Sequence, residues 1–279
     1  MFKKFTRIWK NNVSKKKGIF FTIPKRQKFI IAVVILSLIL FFLEQLFGKS
    51  GIYFTFVLSL LTDVFIFWAM APDLRKNFHP QMFILPFLYS LACSLFYFLV
   101  PARFLTRITM TSFYAIGLYS LFLSENIFIV SAIRTISLLS SARTVSFFVT
   151  LVSYFFLSNV VFSLHLENVF LTLILVFGYT FPLILHSIWT HTLENKFMSG
   201  FFLWTLLLSV CLVEGALALW FWPSGPTIIA LFLTGLFYIF IGLSQNWIDK
   251  RLFKGVLWEY LWVAVIVVIV FITFGLSSS

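Results

Sequence analysis

Long apolar runs with almost no charged residue dominate this sequence and limit what the chain can fold into. Only 11% of its 279 residues are charged and 61% are hydrophobic, whereas about a quarter of the residues in a soluble domain are charged. Apolar stretches of roughly 18 residues or more are typical of transmembrane helices. The chain is therefore predicted to be an integral membrane protein.

Nine of these runs are long enough to cross a hydrocarbon core about 30 Å thick. Because lipid offers no water to backbone N–H and C=O groups, spanning segments are helices or strands of closed barrels. Continuous apolar runs, rather than alternation over about ten residues, indicate helices. The predicted fold class is all-α, a polytopic transmembrane helix bundle of about nine spans at 29–47, 51–71, 82–100, 105–123, 145–164, 169–189, 197–222, 226–243 and 256–276.

The basic residues are distributed unevenly and predict how the chain is threaded. The net charge is +12, and ten of the 21 Lys and Arg residues precede residue 29. Basic residues beside a span mark its cytoplasmic end. With the N-terminus inside, the outer segments contain three basic residues, Lys49, Arg103 and Arg107. The sequence therefore predicts a cell-membrane protein with a cytoplasmic N-terminus and an external C-terminus.

Two parts of the chain follow from this charge pattern. Residues 1–28 form a predicted basic cytoplasmic tail, and residues 29–279 form a single transmembrane domain. In the tail, Phe2, Phe5 and Trp9 share one helical face, which favours binding to an anionic inner leaflet. The alternative is a disordered tail. Membrane lipids are thus predicted partners, and charge concentrated beside the first span argues against nucleic acid.

The segment SENIFIVSAIRTISLLSSARTVSFF (124–148) is apolar yet carries Arg134 and Arg143. If it crossed the bilayer, Arg134 would lie in hydrocarbon at a cost of about 2.5–3.5 kcal/mol, and the later basic loops would move outside. We therefore predict an interfacial helix near 126–142, with Arg143 at the inner mouth of span five. The two arginines either anchor the chain to lipid phosphates or form a cytoplasmic headgroup or anion site with Glu125.

Four carboxylates fall inside predicted spans, where ionisable residues are functional candidates by default. Glu44 and Glu259 lie near span ends, which leaves Asp63 and Glu214. At 1.5 Å per residue, Asp63 lies about 18 Å below the outer end of span two, and Glu214 lies about 12 Å below that of span seven. Both are near the midplane. A carboxylate in this layer can carry a proton, accept a cation or hydrogen-bond a neighbouring helix.

Other polar or helix-interrupting residues occupy the same layer, and transporters place binding sites at interrupted helices near the midplane. The alternative is that these residues make ordinary interhelical contacts. The predicted midplane polar site consists of Asp63, Asn159, Tyr179, Thr180, Pro182 and Glu214.

Sequence signatures of enzymes are missing. The chain has no HExxH, GxSxG or P-loop pattern, and no clustered aspartates that could hold magnesium. Both cysteines lie inside spans, and His186 and His191 are interpreted as interfacial polar residues. No catalytic residue, cofactor or metal site is predicted. Enzymatic activity is left open, and a non-enzymatic role is favoured.

Three functions remain, in this order. The first is transport of a small solute or ion through the bundle, with Asp63 and Glu214 handling protons or cations. The second is a non-catalytic envelope scaffold or assembly factor that docks partners through the tail and the 126–143 region. The third is an intramembrane lipid-modifying enzyme that holds a headgroup with Arg134 and Arg143.

The segment at 124–148 also carries a family resemblance. Its Glu125–Asn126 start, its core at 132–135 and its Thr144–Val145 exit resemble an uncharacterised domain-of-unknown-function family of multi-pass membrane proteins from small-genome bacteria. The resemblance implies a bacterial inner membrane and no known activity, so no functional residue follows from it.

Overall fold

Nine helices make up almost all of the chain that the structure describes. The structure is a computed structural model, and it describes residues 24–48, 51–74, 79–101, 103–131, 138–192 and 199–277. Within these ranges nine helices are long and apolar enough to cross a membrane, which confirms the predicted fold class. They are α1 (Lys25–Phe47), α2 (Gly51–Leu74), α3 (Ile84–Leu99), α4 (Phe104–Ser131), α5 (Leu139–Ser163), α6 (Val169–Thr192), α7 (Ser199–Trp220), α8 (Pro226–Ile248) and α9 (Lys254–Ser277).

The described residues begin inside the predicted basic tail. Helix α1 begins at Lys25, before the predicted start of the first span at residue 29, so the last basic residues of the tail are already helical. The predicted amphipathic stretch near the N-terminus lies outside the described residues.

Consecutive helices run in opposite directions, as contacts between their ends show. Lys25 at the start of α1 forms an ion pair with Asp73 near the end of α2. Arg143 near the start of α5 donates a hydrogen bond to the carbonyl oxygen of Thr190 near the end of α6. We call the end of the bundle at which α1 begins the near end, and the opposite end the far end. Even-numbered helices therefore finish at the near end.

Helix α5 lies at the centre of the bundle and α9 at its edge. α5 packs against α3, α4, α6 and α8, and 67% of its apolar stretch is buried. α9 packs mainly against α8, and only 6% of its apolar stretch is buried. A short 3₁₀ turn at Pro80–Phe83 leads into α3 at the near end.

Many buried hydroxyl groups are satisfied within their own helices. Ser59 donates to the carbonyl oxygen of Thr55 at 2.9 Å, Thr150 to that of Ser146 at 2.8 Å, and Ser209 to that of Thr205 at 2.7 Å. These bonds reach back one helical turn, so the hydroxyls need no partner from solvent or from another helix. Serine and threonine are therefore tolerated in the buried faces without forming a site.

The predicted interfacial helix at 126–142 is wrong. Residues 126–131 continue α4, residues 139–142 begin α5, and 132–137, which include Arg134, lie outside the described residues. The prediction ended the fourth span at residue 123, where the apolar run stops, and placed Arg134 at the interface because an arginine is costly in hydrocarbon. In the structure α4 continues past Glu125 to Ser131, and Glu125 has a partner from another helix, described below.

Close packing inside the bundle leads to a first prediction, for Gly117→Ala. A Cβ atom at residue 117 of α4 would lie 2.0 Å from the hydroxyl oxygen of Tyr89 on α3. The Tyr89 side chain is 1% exposed and its hydroxyl donates to the carbonyl oxygen of Phe113 at 3.1 Å, so the ring has little room to move. We expect a loss of unfolding free energy of about 1–3 kcal/mol.

Thermal unfolding in detergent micelles measures this effect. Gly178→Ala on α6 is the matched control, because no atom lies within 4 Å of the corresponding Cβ position. The control is expected to match the wild-type protein. Equal melting temperatures for both variants would contradict the close approach of α3 and α4.

Candidate functional site

A buried acid–base pair joins α4 to α6. Nε2 of His186 lies 2.9 Å from Oε1 of Glu125, and both side chains are 0% exposed. The two residues are 61 positions apart in the chain. Both helices finish at the near end, and each residue is six positions from the last residue of its helix. At 1.5 Å per residue the pair lies about 9 Å inside that end.

The pair arises because each residue falls on the buried stripe of its helix. On α4 the buried residues Leu118, Phe122, Glu125 and Ile129 recur at spacings of three and four. Such spacing places side chains on one helical face. On α6 the same holds for a buried stripe of Tyr179, Leu183, His186 and Thr190.

Aromatic rings separate the pair from the near end. The Trp189 ring centroid lies 5.7 Å from that of His186 and 6.1 Å from that of Phe128, which is one turn beyond Glu125. Trp189 also contacts the ring of His79, at 5.6 Å. The indole is 4% exposed and Phe128 is 0% exposed. The pair is therefore enclosed on its near-end side by packed rings.

Several polar atoms around the pair have no hydrogen-bond partner among the described residues. The carboxylate of Glu125 uses one oxygen and leaves Oε2 buried, and the imidazole of His186 uses Nε2 and leaves Nδ1 buried. Most buried polar atoms in proteins are hydrogen-bonded, so clustered exceptions indicate a function or an internal water site. The further unpartnered atoms nearby are Asn126 Oδ1, Trp189 Nε1 and His79 Nε2.

The pair can hold a single proton in two positions. Either the carboxylic acid O–H donates to a neutral imidazole, or an imidazolium N–H donates to a carboxylate. The two forms differ by one proton transfer along the 2.9 Å hydrogen bond. Separated charges are costly in a medium of low dielectric constant, and a close opposite charge offsets part of that cost. The arrangement is therefore suited to accepting, storing and passing on a proton.

His79 lies just before the 3₁₀ turn, outside the membrane spans, and is 3% exposed. Burial lowers the pKa of its imidazole below the ordinary value for histidine. The neutral form of the ring is therefore favoured over the imidazolium.

A second polar group stabilises the near end of α6. Arg143 donates from Nε to the carbonyl oxygen of Thr190 at 3.0 Å and from Nη2 to that of His191 at 2.9 Å. His191 Nδ1 in turn lies 3.3 Å from Oδ2 of Asp249 at the end of α8. The last carbonyls of a helix have no partner within the helix, so a guanidinium there satisfies them and complements the helix dipole.

The predicted headgroup or anion site is not assembled as a group in the described chain. Glu125 is fully buried on α4 and is paired with His186. Arg143 is half-buried and contacts the end of α6. Arg134 lies outside the described residues.

The two predicted midplane carboxylates are not brought together. Asp63 is half-buried on α2, and its Oδ1 has no hydrogen-bond partner among the described residues. Its neighbour Thr62 points to α3, where its hydroxyl lies 3.0 Å from that of Ser90. Glu214 is exposed on α7. α2 packs against α1, α3 and α4, whereas α7 packs against α6 and α8.

The remaining midplane residues form interhelical contacts. The hydroxyl of Tyr179 lies 2.8 Å from that of Ser158, which joins α6 to α5. The amide of Asn159 donates to Thr227 Oγ1 on α8 at 3.1 Å. Thr180 is buried, with no hydrogen-bond partner for its hydroxyl among the described residues. Pro182 lies inside α6, which continues through it as one helix.

Sequence reasoning missed His186 and misplaced Glu125. Their separation in the chain leaves no local spacing that could reveal the pair. The available signal was periodicity, because the apolar stripe of each helix runs on through the polar residue. No group of three or more His, Cys, Asp and Glu side chains that could hold a metal occurs in the described part of the chain.

Comparison with known proteins places the chain in a family without giving it an activity. A family model described as "Protein of unknown function (DUF5656)" matches residues 27–274. No curated protein matches the chain, and no solved structure matches it.

Proposed function

The chain belongs to the DUF5656 family of proteins of unknown function, and from its geometry we propose that it transports a small solute or ion coupled to protons. In this proposal Glu125 and His186 form the proton-carrying pair. The single observation that supports it is a carboxylate and an imidazole, both fully buried and 2.9 Å apart, in two membrane helices.

A purely structural role explains this pair less well. Replacing a buried ion pair with apolar residues of similar size is often neutral or stabilising. Apolar contacts would therefore hold α4 and α6 together at least as well. An ionisable group inside a membrane span is instead a functional candidate by default, and here the two groups share one proton.

The near end supplies the access route in this proposal. His79 contacts Trp189, which in turn contacts His186, and its imidazole lies on the near-end side of the pair as the first ring on this route. A change in the Trp189 rotamer would open the way from His79 to Nδ1 of His186. The basic residues at 25–28 begin α1 at this end, and their charge supports a cytoplasmic near end. The bacterial inner membrane in this proposal follows only from the family resemblance of the sequence.

Asp63 keeps a role in the proposal as a second carboxylate. It lies at mid-depth on α2, which packs against α4, and its Oδ1 is able to accept a hydrogen bond or bind a cation. Glu214 is exposed on the outer face of the bundle, so the proposal gives it no role.

Proton flux in proteoliposomes tests the proposal. The purified protein is reconstituted with a trapped pH-sensitive dye, a pH gradient is imposed, and the membrane potential is clamped with potassium and valinomycin. We expect Glu125→Gln and His186→Gln each to lower the flux at least about tenfold, since loss of one proton-transfer group commonly costs that much or more. Both changes keep a hydrogen-bonding side chain.

Glu214→Gln is the matched control, because it removes a membrane carboxylate that faces outward. It is expected to leave the flux unchanged. Melting temperatures establish that all variants are folded. Wild-type flux in folded Glu125→Gln and His186→Gln variants, or no flux above empty liposomes for the wild-type protein, would contradict the proposal.

A second candidate function, assembly with other membrane proteins, is favoured by α9. Only 6% of the apolar stretch of that helix is buried, whereas a third or more is buried in each of the other spans. Photo-cross-linking from Ile269 on α9, 54% exposed, should give defined protein adducts if this candidate is correct. Val34 on α1, 49% exposed, is the control position. Lipid adducts alone at both positions would contradict it.

The lipid-enzyme hypothesis has the least support. Arg143 is engaged with two backbone carbonyls, and no second arginine is found beside it among the described residues.

A further inference from the structure

A pocket of about 700 Å³ opens at the far end of the bundle, away from the Glu125–His186 pair. It lies between the loop that joins α5 to α6 and the loop that joins α7 to α8. The side chains relevant here are those of His165, Glu167, Trp220, Trp222 and Ser224. The pocket is at the level where helices end, so it is accessible both to lipid headgroups and to solutes outside the bilayer.

Local sequence explains why the chain opens here. α5 ends at Ser163, and His165 takes the left-handed conformation with φ of 44°, which is uncommon for a residue other than glycine. On the other side α7 ends at Trp220, and α8 begins at Pro226 with proline in its first turn. Between them, the amide of Ser224 donates to the carbonyl oxygen of Trp222 at 2.8 Å.

The side chains that face the pocket are held in place. The Trp222 ring packs against Phe271 of α9 at 5.8 Å between centroids, and 44% of Trp222 remains exposed. Nδ1 of His165 lies 3.0 Å from the carbonyl oxygen of Ser163 and must carry a hydrogen to bond it. Nε2 of the neutral ring is then left as an acceptor. The Ser224 hydroxyl is buried with no partner in the described chain.

The chemistry of the lining selects for a cation. Glu167 is its one carboxylate, and no Lys or Arg is present among the described residues that line the pocket. Two indole rings add faces of negative potential, which attract ammonium groups, and tryptophan is the most effective side chain for such contacts. An anionic ligand would meet a carboxylate and no basic partner.

We propose that this far-end pocket binds an ammonium group, carried by an amine-containing lipid headgroup or by a small soluble amine. The indoles of Trp220 and Trp222 contact the cation through their faces, and Glu167 supplies the opposite charge. The pocket and the proton-carrying pair lie at opposite ends of the bundle, so this proposal stands whether or not the chain transports protons.

Choline is the probe for the experiment, because it presents a compact quaternary ammonium. Binding of radiolabelled choline to the full-length protein is measured in nanodiscs made only of phosphatidylglycerol, which contains no amine. We expect saturable binding that Glu167→Gln and Trp222→Ala each weaken at least about tenfold, as loss of a charge or a cation–π contact in a partly desolvated site would do.

The matched control variants make the same kinds of substitution, of a carboxylate and of an indole, at other places on the surface. Glu214→Gln removes an exposed carboxylate on α7, and Trp258→Ala removes a 59% exposed indole on α9 near the opposite end. Neither is expected to change choline binding. Because Glu167 is exposed and no ion pair is found for it in the described chain, Glu167→Gln is expected to fold normally. This variant therefore still tests the proposal if Trp222→Ala fails to fold.

A second arm identifies the source of the ammonium group. The titration is repeated in nanodiscs that contain phosphatidylethanolamine: weaker apparent choline binding indicates a lipid headgroup, and unchanged binding indicates a soluble amine. Either result supports the proposal. Absence of saturable choline binding, wild-type affinity in Glu167→Gln, or preference for glucose over choline would overturn it.

Discussion

Replacing His186 with leucine is expected to lower the free energy of unfolding by about 3 to 5 kcal/mol, the usual cost of removing one member of a buried ion pair. Glu125 would be left 0% exposed on α4 with no opposite charge beside it. The rings of Phe128 and Trp189 enclose the Glu125 side chain, so water cannot readily replace the lost imidazole.

The double variant Glu125→Leu/His186→Leu distinguishes an energetic coupling between the two residues from the loss of packing at each one. Because it removes both polar groups, it is expected to recover most of the stability lost in His186→Leu, and the mutant cycle then gives a coupling energy of at least about 1 kcal/mol. Unfolding in a denaturing detergent mixture measures all four proteins. Glu214→Leu, which removes an exposed carboxylate on α7, is the control. Additive effects of the two single changes would contradict a coupled pair.

Arg143→Ala is expected to have the second largest effect on stability, a loss of about 2 to 4 kcal/mol. Hydrogen bonds to charged groups contribute about 1.5–3 kcal/mol each, and Arg143 makes two, to the carbonyl oxygens of Thr190 and His191. Arg143→Lys should recover only part of the loss, because an ammonium cannot reproduce the planar fork of a guanidinium.

Hydrogen–deuterium exchange shows where that loss occurs. The amides at 187–192, the last turn of α6, should exchange faster in Arg143→Ala than in the wild-type protein, while the first turns of α6 remain unchanged. Arg103→Ala is the control, since Arg103 is exposed at the far end. Unchanged exchange at 187–192 would mean that Arg143 does not stabilise this helix end.

Hydropathy predicted the far ends of the helices better than the near ends. The apolar runs predict starts at 169 and 226 for α6 and α8, and these helices begin at Val169 and Pro226. At the near end the runs predict ends at 123 and 243 for α4 and α8, whereas the helices end at Ser131 and Ile248. An apolar run reports only the part of a helix that lies in hydrocarbon. The near ends continue as helix into a more polar layer, where buried partners satisfy the polar side chains.

For the candidate site, sequence predicts how deep a residue lies in its span but not which helices surround it. Position along a span follows from the rise per residue, so the mid-depth position of Asp63 could be derived from sequence. The rotation of each helix and the identity of its neighbours depend on packing among all the spans. Sequence therefore suggested that Asp63 and Glu214 could act together, whereas their helices have different neighbours. Glu125 and His186 meet because both helices finish at the near end with these side chains on their buried faces.

Histidine NMR of the protein in nanodiscs tests the central claim, that the buried pair exchanges a proton, most directly. With ¹⁵N-labelled histidine and His186→Gln for assignment, the ring nitrogens of His186 should show a proton shared in a hydrogen bond with the carboxylate of Glu125, 2.9 Å away. Glu125→Gln, which replaces the carboxylate with an amide, should move these signals. His186 signals that show no shared proton, and are the same in Glu125→Gln, would contradict the account.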